Sequence, residues 1–129
     1  MREVFVLLAM IFLHIADDYY LQGWLDSGKQ KRWWRSQPNY SSKYKHDYIA
    51  ALFMHSFSWS FMTMLPIFVM DSLILSPLHV IVFLINIAIH GFVDDLKANK
   101  LRINLVVDQS IHIVQVILTF CICTNNILR

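Results

Sequence analysis

The chain has 129 residues, of which 57% are hydrophobic and 16% charged, with a formal net charge of +2 and a mean hydropathy of +0.48. That is too short for two ordinary domains and too apolar for a typical water-soluble one. Four apolar runs, residues 4–21, 48–70, 73–93 and 103–123, each approach the roughly 20 residues that a helix needs to cross hydrocarbon. The composition predicts an all-α four-helix transmembrane bundle, a single integral membrane domain over residues 1–129.

The first run begins like a secretory signal, with Met1-Arg2 before an apolar stretch. It lacks a small-residue cleavage pattern and leads into Asp17-Asp18-Tyr19-Tyr20, so it is read as a retained helix. The following connector, residues 23–46, carries Lys29, Lys31, Arg32, Arg35, Lys43 and Lys45, and the connector over residues 96–102 carries Lys97, Lys100 and Arg102. The remaining ends hold only Arg2 and Arg129. By the positive-inside rule both basic connectors are cytoplasmic and both termini external, which places the short lysine-free and arginine-free connector 71–77 outside. The expected location is a bacterial inner membrane.

Within the first helix, His14 precedes Asp18 by four residues. His90 and Asp94 repeat that spacing in the third, and Asp108 and His112 reverse it in the fourth. Residues four apart on an α-helix differ by about 40° in direction and about 6 Å in height, so each pair projects from one face. Each stripe extends, to Gln22 in the first helix, Asn86 and Lys97 in the third, and Asn104 and Gln115 in the fourth. In the second helix His55 shares a face with Ala51 and Asp47. Given the alternating helix directions, every pair sets Asp toward the basic connectors and His one turn deeper, with His55 joining the histidine layer. Four imidazoles and three carboxylates are thus expected to form one polar layer near the cytoplasmic end.

Carboxylates near hydrocarbon cost several kcal/mol unless a cation compensates them. Lys97 is the nearest candidate by sequence, and a divalent metal supplies the remaining charge. His14, Asp18, His55, His90, Asp94, Asp108 and His112 are the expected ligands, a nitrogen and oxygen mixture suited to zinc, iron or manganese, sufficient for one or two ions. Soluble bundles build dimetal sites from inward-facing carboxylates and imidazoles on four helices, with a different spacing. Asn86, Gln109 and Gln115 are read instead as hydrogen-bonding glue between helices.

The phrases His14-Ile-Ala-Asp-Asp18-Tyr-Tyr-Leu-Gln22, His90-Gly-Phe-Val-Asp94-Asp-Leu-Lys97 and Asp108-Gln109-Ser-Ile-His112 resemble the signatures of a family of small bacterial and phage membrane proteins, domain of unknown function 3307. The resemblance spans nearly the whole chain and implies a small helical membrane protein, without implying an activity. Asp17 stands where that family more usually has glycine, which adds a carboxylate beside the site.

Asp17 and Asp95 adjoin the expected ligands but lie roughly 100° around the helix, suited to capping, orienting a ligand or acting as a general base. With Lys97 they are the expected catalytic groups, Lys97 and the basic connector holding substrate phosphate and Gln22 and Gln109 orienting ligands or substrate. The segment Lys29-Gln-Lys-Arg-Trp-Trp-Arg35 reads first as topogenic lysines and arginines with interfacial tryptophans, and second as a clamp for an anionic headgroup. The His46-Asp47 doublet is assigned to a helix start, and His79 to the external interface. Cys121 and Cys123, two apart on a helix, do not face one another and are read as packing residues.

A phosphate-binding glycine loop, a serine-nucleophile motif and Cys-x-x-Cys are all missing, which argues against nucleotide-driven motors. The functional expectation is a membrane-embedded, metal-dependent enzyme, a hydrolase of a phosphoester or other lipid-linked substrate at the cytoplasmic face. Membrane lipid is the expected partner, an oligomer is compatible, and nucleic acid is not expected. Two alternatives remain at this stage: a proton or divalent-cation transporter, and a non-enzymatic membrane factor whose polar layer only locks helix packing.

Overall fold

A computed structural model describes residues 1–127, and they are helical with short connectors. Four helices are long and apolar enough to cross a membrane, over Arg2–Leu21, Ser42–Met70, Pro77–Ala98 and Leu105–Asn125. Helix α1 spans Arg2–Ile15 and continues as a π-helical turn, Ala16–Leu21. Two short helices follow in the first connector, α2 at Leu25–Gly28 and α3 at Lys31–Arg35, before the long helices α4 at Asp47–Met70, α5 at Pro77–Ala98 and α6 at Leu105–Ile127. Helix α4 is central, packing on α1, α5 and α6 and also on α2.

The third span starts later than its apolar run predicts. Ser72 and Leu73 take left-handed backbone conformations that terminate α4, and Leu73 to Leu75 remain outside the next helix. Ser76 then caps α5 through its hydroxyl, which accepts from the His79 amide at 3.2 Å, while Pro77 occupies the first turn, where no amide donor is needed. At its other end α5 runs on to Ala98, because the charged Asp94-Asp-Leu-Lys97 segment keeps helical geometry. Helix α6 starts after Asn104, whose side chain accepts from the Val107 amide at 2.9 Å.

The helices are apolar outside and polar within, the arrangement that a hydrocarbon surround selects. Phe5, Leu8 and Phe12 on α1, Phe53, Phe57 and Phe61 on α4, and Leu84, Ile85 and Phe92 on α5 are exposed. His14, His55, Ser60, Thr63, Asn86, His90, Asp108 and His112 are buried. The half of the bundle away from the basic connectors closes around Met10, Met64, Ile67, Val82 and Val116. Asn86, Gln115 and Thr119 join α5 to α6 there through side-chain hydrogen bonds of 2.8–3.1 Å, the glue expected of the first two.

Helices α4 and α5 pack tightly at Gly91, where an added Cβ would lie 2.8 Å from the Ser56 hydroxyl oxygen and 3.7 Å from its Cβ. Small residues allow this approach, and close packing between membrane helices depends on it. Gly91→Ala should therefore destabilise the bundle by about 1–3 kcal/mol through overpacking. Adding Ser56→Ala, which removes the clashing oxygen, should restore most of the loss; thermal unfolding in detergent tests both, and equal melting of Gly91→Ala and the parent would contradict the close-contact account.

Candidate metal centre

The expected polar layer forms at the end of the bundle that carries the basic connectors. His55, His90 and His112 make a continuous row, with ring centroids 5.0 Å apart for the first pair and 4.1 Å for the second. The His55 Nε2 to His90 Nε2 distance is 3.1 Å, and His90 Nδ1 lies 3.2 Å from His112 Nδ1. Asp18 Oδ1 is 3.2 Å and Asp94 Oδ2 3.3 Å from His55 Nε2, while both oxygens are 3.9 Å from His90 Nε2. The second oxygen of Asp94, Oδ1, lies 3.3 Å from His112 Nε2, and Asp108 Oδ1 lies 3.5 Å from the same nitrogen.

Among the described residues two groups have the spacing to hold a metal ion, Asp18 with His55 and His90, and His90 with Asp94 and His112. In each group one donor atom per residue lies within 4.8 Å of the others, and every member is buried. His14 is in neither. Its Nδ1 accepts a 2.7 Å hydrogen bond from Trp59 Nε1, which occupies that lone pair, and its ring centroid is 6.0 Å from that of His112. The same indole stacks on His90 at 4.2 Å with an 18° interplanar angle, so Trp59 fixes two imidazoles at once. The histidine spacing gives no hint of this partner, which arrives from α4.

The π-helical turn explains a departure from the expected geometry at Asp17. A regular helix turns Asp17 away from the Asp18 face, but wider π turns reduce the angle between successive residues and recur at functional sites. Both carboxylates consequently point inward, Asp17 2% and Asp18 5% exposed. Asp17 Oδ1 accepts from the Ser58 hydroxyl at 2.6 Å, and its Oδ2 lies 3.9 Å from His55 Nδ1. Asp95 is oriented elsewhere. Its carboxylate takes the Asn99 amide at 2.8 Å and Lys100 Nζ at 3.1 Å, which secures the end of α5. Asp47 lies half-buried in the first turn of α4, and His79, expected at the interface, is buried beside Asp71 at the opposite end.

Lys97 contacts Asp108 Oδ2 at 2.7 Å, and a second cation that the helix faces do not indicate reaches the layer equally closely. Lys29, from the first connector, is 5% exposed and places Nζ 2.7 Å from Asp94 Oδ2 and 2.9 Å from Gln22 Oε1. The chain is steered inward by Asn99, whose side chain grips the connector on both sides, donating to the Lys29 carbonyl at 3.0 Å and accepting from the Lys31 amide at 2.7 Å. Trp34 adds a 2.7 Å bond from its indole N–H to the Gly28 carbonyl. Because the contacts with Asp94 and Asn99 span 65 to 70 residues of sequence, a reading of helix faces could not find Lys29.

Four buried carboxylates, Asp17, Asp18, Asp94 and Asp108, therefore meet two ammonium groups, Lys29 and Lys97, leaving two negative charges for the imidazoles or a bound cation to balance. Asp17 Oδ2, Asp18 Oδ1 and Asp108 Oδ1 are buried oxygens without a hydrogen-bond donor. Gln109 donates to the other oxygens of Asp18 and Asp108, at 2.9 and 3.0 Å, and so orients the unsatisfied ones. A cavity of about 560 Å³ opens beside the cluster, lined on its polar side by Asp18, Gln22, Lys29, Arg32, Lys97 and Gln109. No family model matches the chain, and neither does a curated protein or a solved structure.

Removing one member of a buried ion pair typically costs about 3–5 kcal/mol, because the other charge is left uncompensated. Lys29→Met should destabilise the protein by that order, and the Lys29→Met, Asp94→Asn double variant should lose clearly less than the sum of the single changes. Denaturation of the four proteins in one detergent measures the coupling, and strict additivity would place Lys29 outside the charge balance.

Proposed function

We propose that the protein is a membrane-embedded, metal-dependent hydrolase of phosphoester substrates, lipid-linked ones above all, with its site at the cytoplasmic face. The observation that carries this reading is the buried group of Asp18 Oδ1, His55 Nε2 and His90 Nε2, whose separations run from 3.1 to 3.9 Å, with Asp94 Oδ2 3.3 Å from the His55 nitrogen and 3.9 Å from that of His90. Tetrahedral zinc with bonds of about 2.0–2.2 Å needs donor separations of roughly 3.3–3.6 Å. One donor is the buried, unsatisfied oxygen of Asp18. A dication there would cancel the two negative charges left by the lysines. Such an ion supplies water activation and neutralisation of charge developing on a phosphoryl oxygen.

The chain's own residues account for the substrate preference. Lys29, Arg32 and Lys97 give the cavity three cationic side chains, suited to a phosphate group, and Asp17 stands behind His55 as a candidate proton acceptor. Tyr20, Leu101 and Leu105 line the same cavity and are exposed, so an amphiphile could rest its apolar portion there while its headgroup reaches Asp18. The topology that makes this face cytoplasmic follows from the basic connectors. In the opposite half Met10, Met64, Ile67 and Val116 pack around polar groups that are tied up with one another, Asn86, Gln115 and Thr119, and this supports hydrolysis above transport, which requires an open polar path to the other side.

Purified protein should contain stoichiometric zinc, iron or manganese by elemental analysis, and Asp18→Asn should lose it while retaining helical circular dichroism. Release of inorganic phosphate from phosphatidic acid in mixed micelles should stop on chelation, return with the metal, and fall to background in Asp18→Asn. Metal-free wild-type protein after exposure to all three ions would reject the centre; bound metal without phosphate release from phosphatidic acid or an aryl phosphate would reject the proposed reaction.

A further inference from the structure

Hydrogen positions around His90 determine more than a shared location for three imidazoles. His90 directs Nε2 at His55, Asp18 and Asp94, and Nδ1 at His112 Nδ1, 3.2 Å away. If Nε2 offers its lone pair to an ion, a neutral His90 must carry its proton on Nδ1. That N–H can only donate to His112 Nδ1, which must then be a lone pair. His112 consequently carries its own proton on Nε2, where Asp94 Oδ1 at 3.3 Å and Asp108 Oδ1 at 3.5 Å await a donor. The chain of donors closes without conflict on Asp94 Oδ1, with Asp108 Oδ1 beside the same N–H.

The opposite assignment fails. Were His112 to ligate an ion through Nε2, its proton would move to Nδ1 and confront the Nδ1–H of His90 at 3.2 Å, two donors face to face. Ligation through His112 Nδ1 would leave the Nδ1–H of His90, 3.2 Å away, without an acceptor, so it is incompatible with His90 holding an ion through Nε2. We infer that His112 is a positioning residue which holds His90 from behind, anchored by Asp94 and by the Asp108–Lys97 pair, and that the centre takes one ion instead of two. This inference rests on the metal-centre reading above. It also assigns Asp108 and Lys97 to the support of a ligand, in the way that outer carboxylates orient metal-bound imidazoles.

Cobalt-loaded wild-type protein tests the assignment without any variant. Its proton spectrum should contain two hyperfine-shifted, exchangeable ring N–H resonances, from His55 and His90, and saturation with zinc should give one ion per chain. A third such resonance or a second ion would overturn the positioning role while leaving the metal centre standing; no ion at all would remove both. In His112→Gln, zinc affinity should drop on the order of 10–100-fold, with saturation still at one ion and two imidazoles counted by X-ray absorption. Unchanged affinity, or loss of one imidazole from the ion's ligands, would equally overturn the inference.

Discussion

Burying four carboxylates in a bundle whose outer surface is hydrocarbon is the constraint on which this structure depends. An unpaired anion in such surroundings costs several kcal/mol, and the fold meets that cost with contacts drawn from every part of the chain. Lys29 descends from the first connector to Asp94, Lys97 reaches across from α5 to Asp108, and Gln109 spans Asp18 and Asp108. The connector over residues 23–46 thus sends Lys29 into the interior while most of its other residues stay exposed or half-buried. Its grip by Asn99 and by the Trp34 indole follows from the need to hold one ammonium group at a defined depth.

The compensation is incomplete, and the incompleteness is concentrated where the imidazoles are. Structural glue satisfies most of its own polar atoms, as Asn86, Gln115 and Thr119 do in the opposite half of the bundle, where the neutral Gln115 Oε1 is left without a donor. Near His55 and His90, by contrast, carboxylate oxygens remain without donors although Gln109, Ser58 and Trp59 are arranged with short, well-directed bonds to neighbouring atoms. Rigidly held polar groups beside unsatisfied carboxylate oxygens fit a cluster that could hold a cation. The adjoining cavity has cations at its polar wall and apolar side chains at its open edge, the feature on which the proposal of an anionic amphiphile rests.

How far the chain could be read in advance varies from residue to residue. Asp18, His55, His90, Asp94, Asp108 and His112 converge as the four-residue spacing and the alternating helix directions imply, because both are properties of regular helices. Asp17 departs from that reading, since a π turn replaces the α geometry on which the angular argument relied. His14 occupies the expected face yet spends its Nδ1 on Trp59, a competition invisible from α1 alone. Lys29 looked like one topogenic cation among several, and nothing in its neighbours marks it as the one that is buried.

The amino-acid order by itself determined the four apolar spans, the polar stripe along each and the polarity of the two ends, since hydropathy, helical period and connector charge are all local quantities. Tertiary structure alone decided which carboxylates receive a lysine, which imidazole faces which, and which oxygens are left open. Those outcomes depend on ångström-scale distances between residues far apart in the chain, and a hydrogen bond exists or fails over less than the width of one atom.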